Sequence, residues 1–216
     1  MSRLLVVLVV LLAGCSTQPP APDWQMNARS ALERSVQAYL AGNARLEAVD
    51  FTRARAEIAS TGRVDLLARA ELVRCAARVA SLEQGPCTGY EALADDAAPA
   101  EQAYARYLQG LVREGDLPLL PLQHRAAAAA GATAVVLPAI EDPLARLVAA
   151  GVWLQQGKAD PAVIGMAIET SSAQGWRRPL LAWLGVQARR AELAGDTQAL
   201  ARIQRRMALV TETMPR

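Results

Sequence analysis

Histidine, lysine and aromatic side chains are nearly missing from this chain, and each shortage closes off a chemistry. The 216 residues include one histidine, and aromatics make up 4%. A Ser-His-Asp triad would have to use His124, yet no G-x-S-x-G nucleophile turn occurs anywhere. A catalytic or structural metal needs several nitrogen or sulfur ligands, which a single imidazole cannot supply. His124 stands just before the alanine run Ala126–Ala130, with no Asp, Glu or Cys close by, and is expected on the surface or as a helix cap. Neither a G-x-x-x-x-G-K-[ST] nor a G-x-G-x-x-G loop is present, so a phosphate cradle and a nucleotide cofactor are not expected. Lys158 is the one lysine; the other basic residues are arginines, and 23 basic face 21 acidic residues without clustering. With no basic stripe, nucleic acid is not expected as a partner. Long apolar-polar alternation is missing too, leaving the valine-rich stretch Thr133–Leu137 as the one strand candidate.

What is present begins at the N-terminus. Arg3 precedes a wholly apolar run, Leu4–Leu12. Nine helical residues rise about 14 Å, far short of the roughly 30 Å of a bilayer core, so the segment reads as a secretory leader, not a spanning anchor. It ends in Leu12-Ala13-Gly14-Cys15, which resembles the lipobox of bacterial lipoproteins. The resemblance implies removal of residues 1–14, diacylation of the Cys15 thiol and acylation of the new amino group, palmitate included. Each buried CH₂ contributes about 0.8 kcal/mol, so two or three chains hold essentially permanently. Ser16, where retained inner-membrane lipoproteins typically carry Asp, implies an outer-membrane address facing the periplasm. Residues 15–22 then form the lipidated cysteine and a flexible tether, TQPPAP, of about 3.1 Å per residue.

Residues 23–216 remain as one domain of about 190 residues, long enough for a well-buried core. Two cysteines, Cys75 and Cys87, fit an oxidising compartment. The helix holding Cys75 should end near Gly85-Pro86, and the four residues beyond Glu83 reach back about as far as that helix rises, roughly 12 Å. A disulfide closing this short loop is expected to contribute on the order of 3 kcal/mol.

Helical periodicity runs through the body. Trp24, Ala28, Ala31, Ser35 and Tyr39 share a face; so do Leu66, Ala70, Val73, Ala77 and Ala80; Leu144, Leu147, Val148, Gly151 and Leu154; and Leu200, Ile203, Met207 and Val210. Stops fall at glycines 42, 62, 85, 115, 131, 157, 175 and 195, and starts at prolines 99, 121, 143, 161 and 179. Eight or nine antiparallel helices follow: an all-α fold. Trp153, Gly157, Ala162 and Met166 resemble a tetratricopeptide repeat, with Gly42, Phe51, Ala54 and Gly195-Asp196 as pieces of further copies, although Tyr39 and Leu200 depart from the pattern. That resemblance implies a helical-hairpin solenoid; an irregular bundle remains the alternative. Glycines 110, 151, 165 and 185 lie inside helices, where each costs about 1 kcal/mol against alanine, so close helix crossings are expected there.

Five segments draw attention as sites. The acidic pairs Asp95-Asp96 and Glu141-Asp142 precede proline-marked helix starts and suit the helix dipole. Glu169-Thr170-Ser171 resembles the Glu-Ser of lytic transglycosylases, which implies Glu169 as a general acid on peptidoglycan. Here Thr replaces Ser, the Gly-Leu-Met-Gln stretch is absent, and sugar-stacking aromatics are few. Trp176, Arg177, Arg178 and Trp183 offer an aromatic-basic partner-binding patch, or alternatively Trp176 packs over a turn while Trp183 enters the core. The apolar stretch Leu117–Leu122 is likewise packed beneath the domain or presented to a partner. The resulting expectation is an outer-membrane lipoprotein that holds another envelope protein, in the manner of helical-hairpin assembly lipoproteins, with no cofactor, catalytic residue or small-molecule substrate. The alternative is a peptidoglycan-acting enzyme or its regulator.

Overall fold

The computed structural model describes residues 21–129 and 135–213. The leader, Cys15, Ser16 and most of the tether, Gly131 and the start of the valine-rich stretch lie outside the described residues. Ten α-helices follow in order: α1 Asp23–Leu40, α2 Ala44–Ala59, α3 Val64–Ala80, the single turn α4 Thr88–Glu91, α5 Pro99–Leu108, α6 Leu122–Ala129, α7 Pro143–Gln155, α8 Pro161–Ala173, α9 Arg177–Leu193 and α10 Thr197–Glu212. Short 3₁₀ segments occupy Ala94–Asp96, Glu114–Leu119 and Leu137–Ala139. No described residue is in a strand, so the fold is all-α. Of the strand candidate, Val135-Val136 form a turn and Leu137 opens a 3₁₀ segment whose second residue, Pro138, has no N–H for a ladder.

Local chemistry sets the helix limits. Pro99, Pro143 and Pro161 occupy first positions. The carboxylates of Asp142, Asp160 and Asp196 accept the N–H groups of Ala145, Val163 and Ala199 at 2.6, 2.8 and 2.8 Å. At its far end α7 closes with Gly157 at φ 68°, whose N–H donates to Leu154 while Lys158 donates to Trp153, the Schellman arrangement. The end of α3 has the same bonds, but Leu82 takes the left-handed position at φ 61°.

Packing centres on α3 and α7, which are buried around most of their circumference. They cross at Gly151, where a Cβ would run into the carbonyl oxygen of Val79. Of the four helix glycines, this one alone marks a close crossing. Gly110 instead ends α5 with φ 72°, and a Cβ at Gly165 or Gly185 would meet nothing within 4 Å. Nothing in the structure explains those two glycines. The α1–α2 hairpin is close enough for the Ser35 hydroxyl to donate to the Glu47 carbonyl at 3.2 Å. Cys75 and Cys87 are disulfide-bonded, Cα to Cα 5.7 Å, and both are buried, as their spacing predicts.

Charge completes the seams. Buried Asp50, Glu71, Glu47, Glu101 and Asp116 each meet an arginine that keeps some solvent access: Arg34, Arg55, Arg74, Arg69 and Arg106. Three of these pairs bridge successive helices, Arg69 reaches from α3 past α4 to Glu101 of α5, and Arg106 ties α5 to the following 3₁₀ segment. A solenoid repeat touches only its neighbours. Here α7 packs on α3, and α9 returns to α1, so the architecture is an irregular helical bundle.

Candidate functional site

The Trp176–Trp183 segment does not form an exposed patch. Trp183 is fully buried, at 0% exposure, and its indole N–H donates to Ala80 at 3.1 Å. Trp176 is buried as the residue before α9 and donates to Gln37 Oε1 of α1 at 3.1 Å. Arg177 donates to the Ala41 carbonyl at 3.2 Å. Arg178 donates to the Tyr39 carbonyl at 2.9 Å, lies 4.4 Å above the Tyr39 ring and pairs with Glu83. All four clasp α9 to the end of α1 and α3. An indole has too much apolar surface to stay in water when such a seam is available; Arg177 pairs the Ala41 carbonyl just past α1, and Arg178 adds a second bond to the Tyr39 carbonyl, which also accepts the Gly42 N–H.

Glu169 sits on the exposed side of α8, in a shallow groove of about 490 Å³ with Gly165, Ser172, Gln187 and Arg206. Its neighbour Thr170 is buried, and the Ser171 hydroxyl donates to Ala167 at 2.8 Å. The apolar cleft that would hold a proton on a catalytic carboxyl does not surround Glu169.

A larger concave surface lies elsewhere. One depression of about 480 Å³ runs between α3, α5 and the start of α6, past Arg69, Val73, Tyr104, Leu119, Leu122 and His124. Val73 also lines a second, of about 480 Å³, with Leu32 and Val36 of α1 and with Asp142 and Leu144. A third, about 440 Å³, shares Leu122 and Gln123 with the first and Asp142 with the second, and adds Val136 and Ile140. The three therefore join around Val73, Asp142 and the turn into α6. Their walls are mostly aliphatic; Arg69–Glu101 and Arg29–Glu33 place paired charges along them.

Hydrogen bonds fix this surface. Arg125 Nε holds the Leu120 carbonyl at 2.9 Å, and Arg146 holds that of Ile140 at 2.8 and 3.1 Å. The apolar stretch before α6 is divided: Leu120 is buried and Leu117 partly packed, while Leu119 and Leu122 are presented, Leu122 at 79% exposure.

The expectation of an exposed or capping His124 is overturned. Third in α6, it is 2% exposed, packed against Tyr104 and Tyr107 of α5 with ring centroids at 5.5 and 4.9 Å. Its Nε2 lies 3.5 Å from the Tyr104 hydroxyl, and its Nδ1 has no partner among the described residues. Burial lowers its pKa to about 4, against a weaker upward pull from Asp142. Burial likewise raises both phenols above their ordinary value. Sequence reading passed over this cluster because the histidine is followed by Arg125 and alanines. The Tyr104–Tyr107 spacing of one helical turn is the signal that could have located its partner face.

Among the described residues no group of three or more His, Cys, Asp and Glu side chains could hold a metal, and no helix is long and apolar enough to cross a membrane. Comparison with protein-family models, with curated proteins and with solved structures returns no match.

Proposed function

We propose that this protein is an outer-membrane lipoprotein, held through Cys15, whose helical body binds another envelope protein in the joined groove without catalysing a reaction. The observation that carries the binding surface is the exposure of Leu119 and Leu122 beside three connected apolar depressions. Exposed leucines at the mouth of a concave apolar surface lose water on contact, at about 25 cal/mol per Å². The lipobox resemblance supplies the address. An anchored domain meets its partners at raised effective concentration, so modest affinity suffices.

The test joins anchor and groove. Wild-type protein should take up labelled palmitate and fractionate with the outer membrane, whereas Cys15→Ala should not. A photoreactive residue at position 122 should trap one envelope protein, and the same probe at position 165, which lines none of the three depressions, should not. Absence of palmitate ends the lipoprotein reading; equal trapping at both positions, or none at 122, ends the groove reading. Wall-cleaving activity abolished by Glu169→Gln would replace both with an enzyme.

A further inference from the structure

We infer that His124 is a proton-sensitive latch on the groove: charging its imidazole unseats the first turn of α6 and with it the wall formed by Leu119 and Leu122. The inference rests on the groove being the partner surface for its biological meaning, but not for its physics. Leu122, Gln123, His124 and Arg125 all line the groove, and His124 is the buried residue of that turn, packed onto two tyrosine rings. A neutral imidazole tolerates that place. A charged one carries a second N–H, and Nδ1 has no acceptor within reach among the described residues.

The groups around it do not compensate. From α5 come Tyr104 and Tyr107, which are uncharged, and Glu101, already held by Arg69 of α3 at 2.6 Å. At the start of α7, Asp142 attracts the charge, but its carboxylate is engaged by the Ala145 N–H. Arg125, the adjacent residue on α6, is a cation turned to the Leu120 carbonyl and offers a charged imidazole no acceptor. Asp142 is the one source of relief, and burial outweighs it.

The sign follows from linkage. A released imidazole takes a proton near pH 6.5, whereas the seated one resists to about pH 4. Between these values the open form alone gains protons, so its population rises roughly tenfold for each pH unit of acidification. Above pH 6.5 and below pH 4 the population is flat.

The single histidine makes the test direct. In the mature lipidated protein in detergent, free of partner, isotope-labelled histidine should give one imidazole signal that stays neutral to about pH 5 and titrates near pH 4. Amide exchange in residues 122–129, corrected for intrinsic chemistry, should rise about tenfold per unit between pH 6 and pH 4, with α8–α10 unchanged. His124→Gln, which cannot charge, should abolish that rise. Titration near 6.5, a rise spread evenly over the chain, or the same rise in His124→Gln overturns the latch. If His124→Gln does not fold, the wild-type titration and exchange decide. Failure to trap a partner at position 122 removes the binding role and leaves these readouts intact.

Discussion

Three glycines at helix-interior positions should respond to the same substitution with opposite signs. Replacing glycine by alanine inside a helix gains about 1 kcal/mol in backbone propensity. At Gly165 and Gly185 the added Cβ meets nothing within 4 Å, so Gly165→Ala and Gly185→Ala should each stabilise the body by about 0.5–1 kcal/mol. At Gly151 the Cβ overlaps the Val79 carbonyl oxygen, a backbone atom at the end of α3. That oxygen cannot swing away, because it accepts the Leu82 N–H at 3.0 Å in the left-handed turn. The two core helices must then separate, and because the clash is with backbone the overpacking cost falls at the upper end, about 2–3 kcal/mol, so Gly151→Ala should come out destabilised by about 1–2 kcal/mol net. For a body of this size 1 kcal/mol moves the melting temperature by about 2–4 °C. Urea unfolding of the soluble body with its disulfide intact reads all three. If Gly151→Ala is stabilised like the other two, the α3–α7 crossing is not where the structure puts it.

Arg177→Ala combined with Arg178→Ala should destabilise the bundle by about 1–3 kcal/mol, because both guanidiniums donate to carbonyls at the α1 end; capture lost at unchanged stability would restore a surface role for them. Arg106 holds the Asp116 carboxyl down at about 2, chiefly through its side-chain hydrogen bond. Unfolded aspartate titrates near ~3.9, so the stability this group contributes is complete above that value and is lost as pH falls through about 2. Asp116→Asn should accordingly be weaker than wild type at neutral pH and converge with it towards pH 2, as unfolding curves across that range will show.

Periodicity exposed the helices because short turns leave a clear mark: the residues assigned to the buried face of α1 are buried or half-buried, and Gly157 and Pro161 bracket a turn where expected. It understated α3 and α7. Their extra buried positions, alanines such as Ala68, Ala76, Ala149 and Ala150 together with Leu72, Val79, Val152 and Trp153, lie off the single stripe that periodicity picks out. The end of α3 was hidden for a related reason, since a leucine stands where glycine usually marks the stop. The groove is built from six separate stretches between Arg29 and Trp176, and no single stretch looks unusual. The indoles were legible as hot-spot residue types; whether an indole faces water or a seam depends on helices more than a hundred residues away.

The clasp between α9 and α1 also orders events in time. Trp176 and Gln37 are separated by 139 residues, whereas α1 with α2, and α9 with α10, meet across a single turn. Chains emerge N-terminus first, so the local hairpins can close while the far half is still being made. The end of α1, with Gln37 and the Tyr39 and Ala41 carbonyls, stays without its cover until residues 176–178 arrive. A nascent chain halted before Trp176 should therefore remain a protease substrate, however complete its first three helices are, since the residues that seal the first helix are made only after eight helices have gone before.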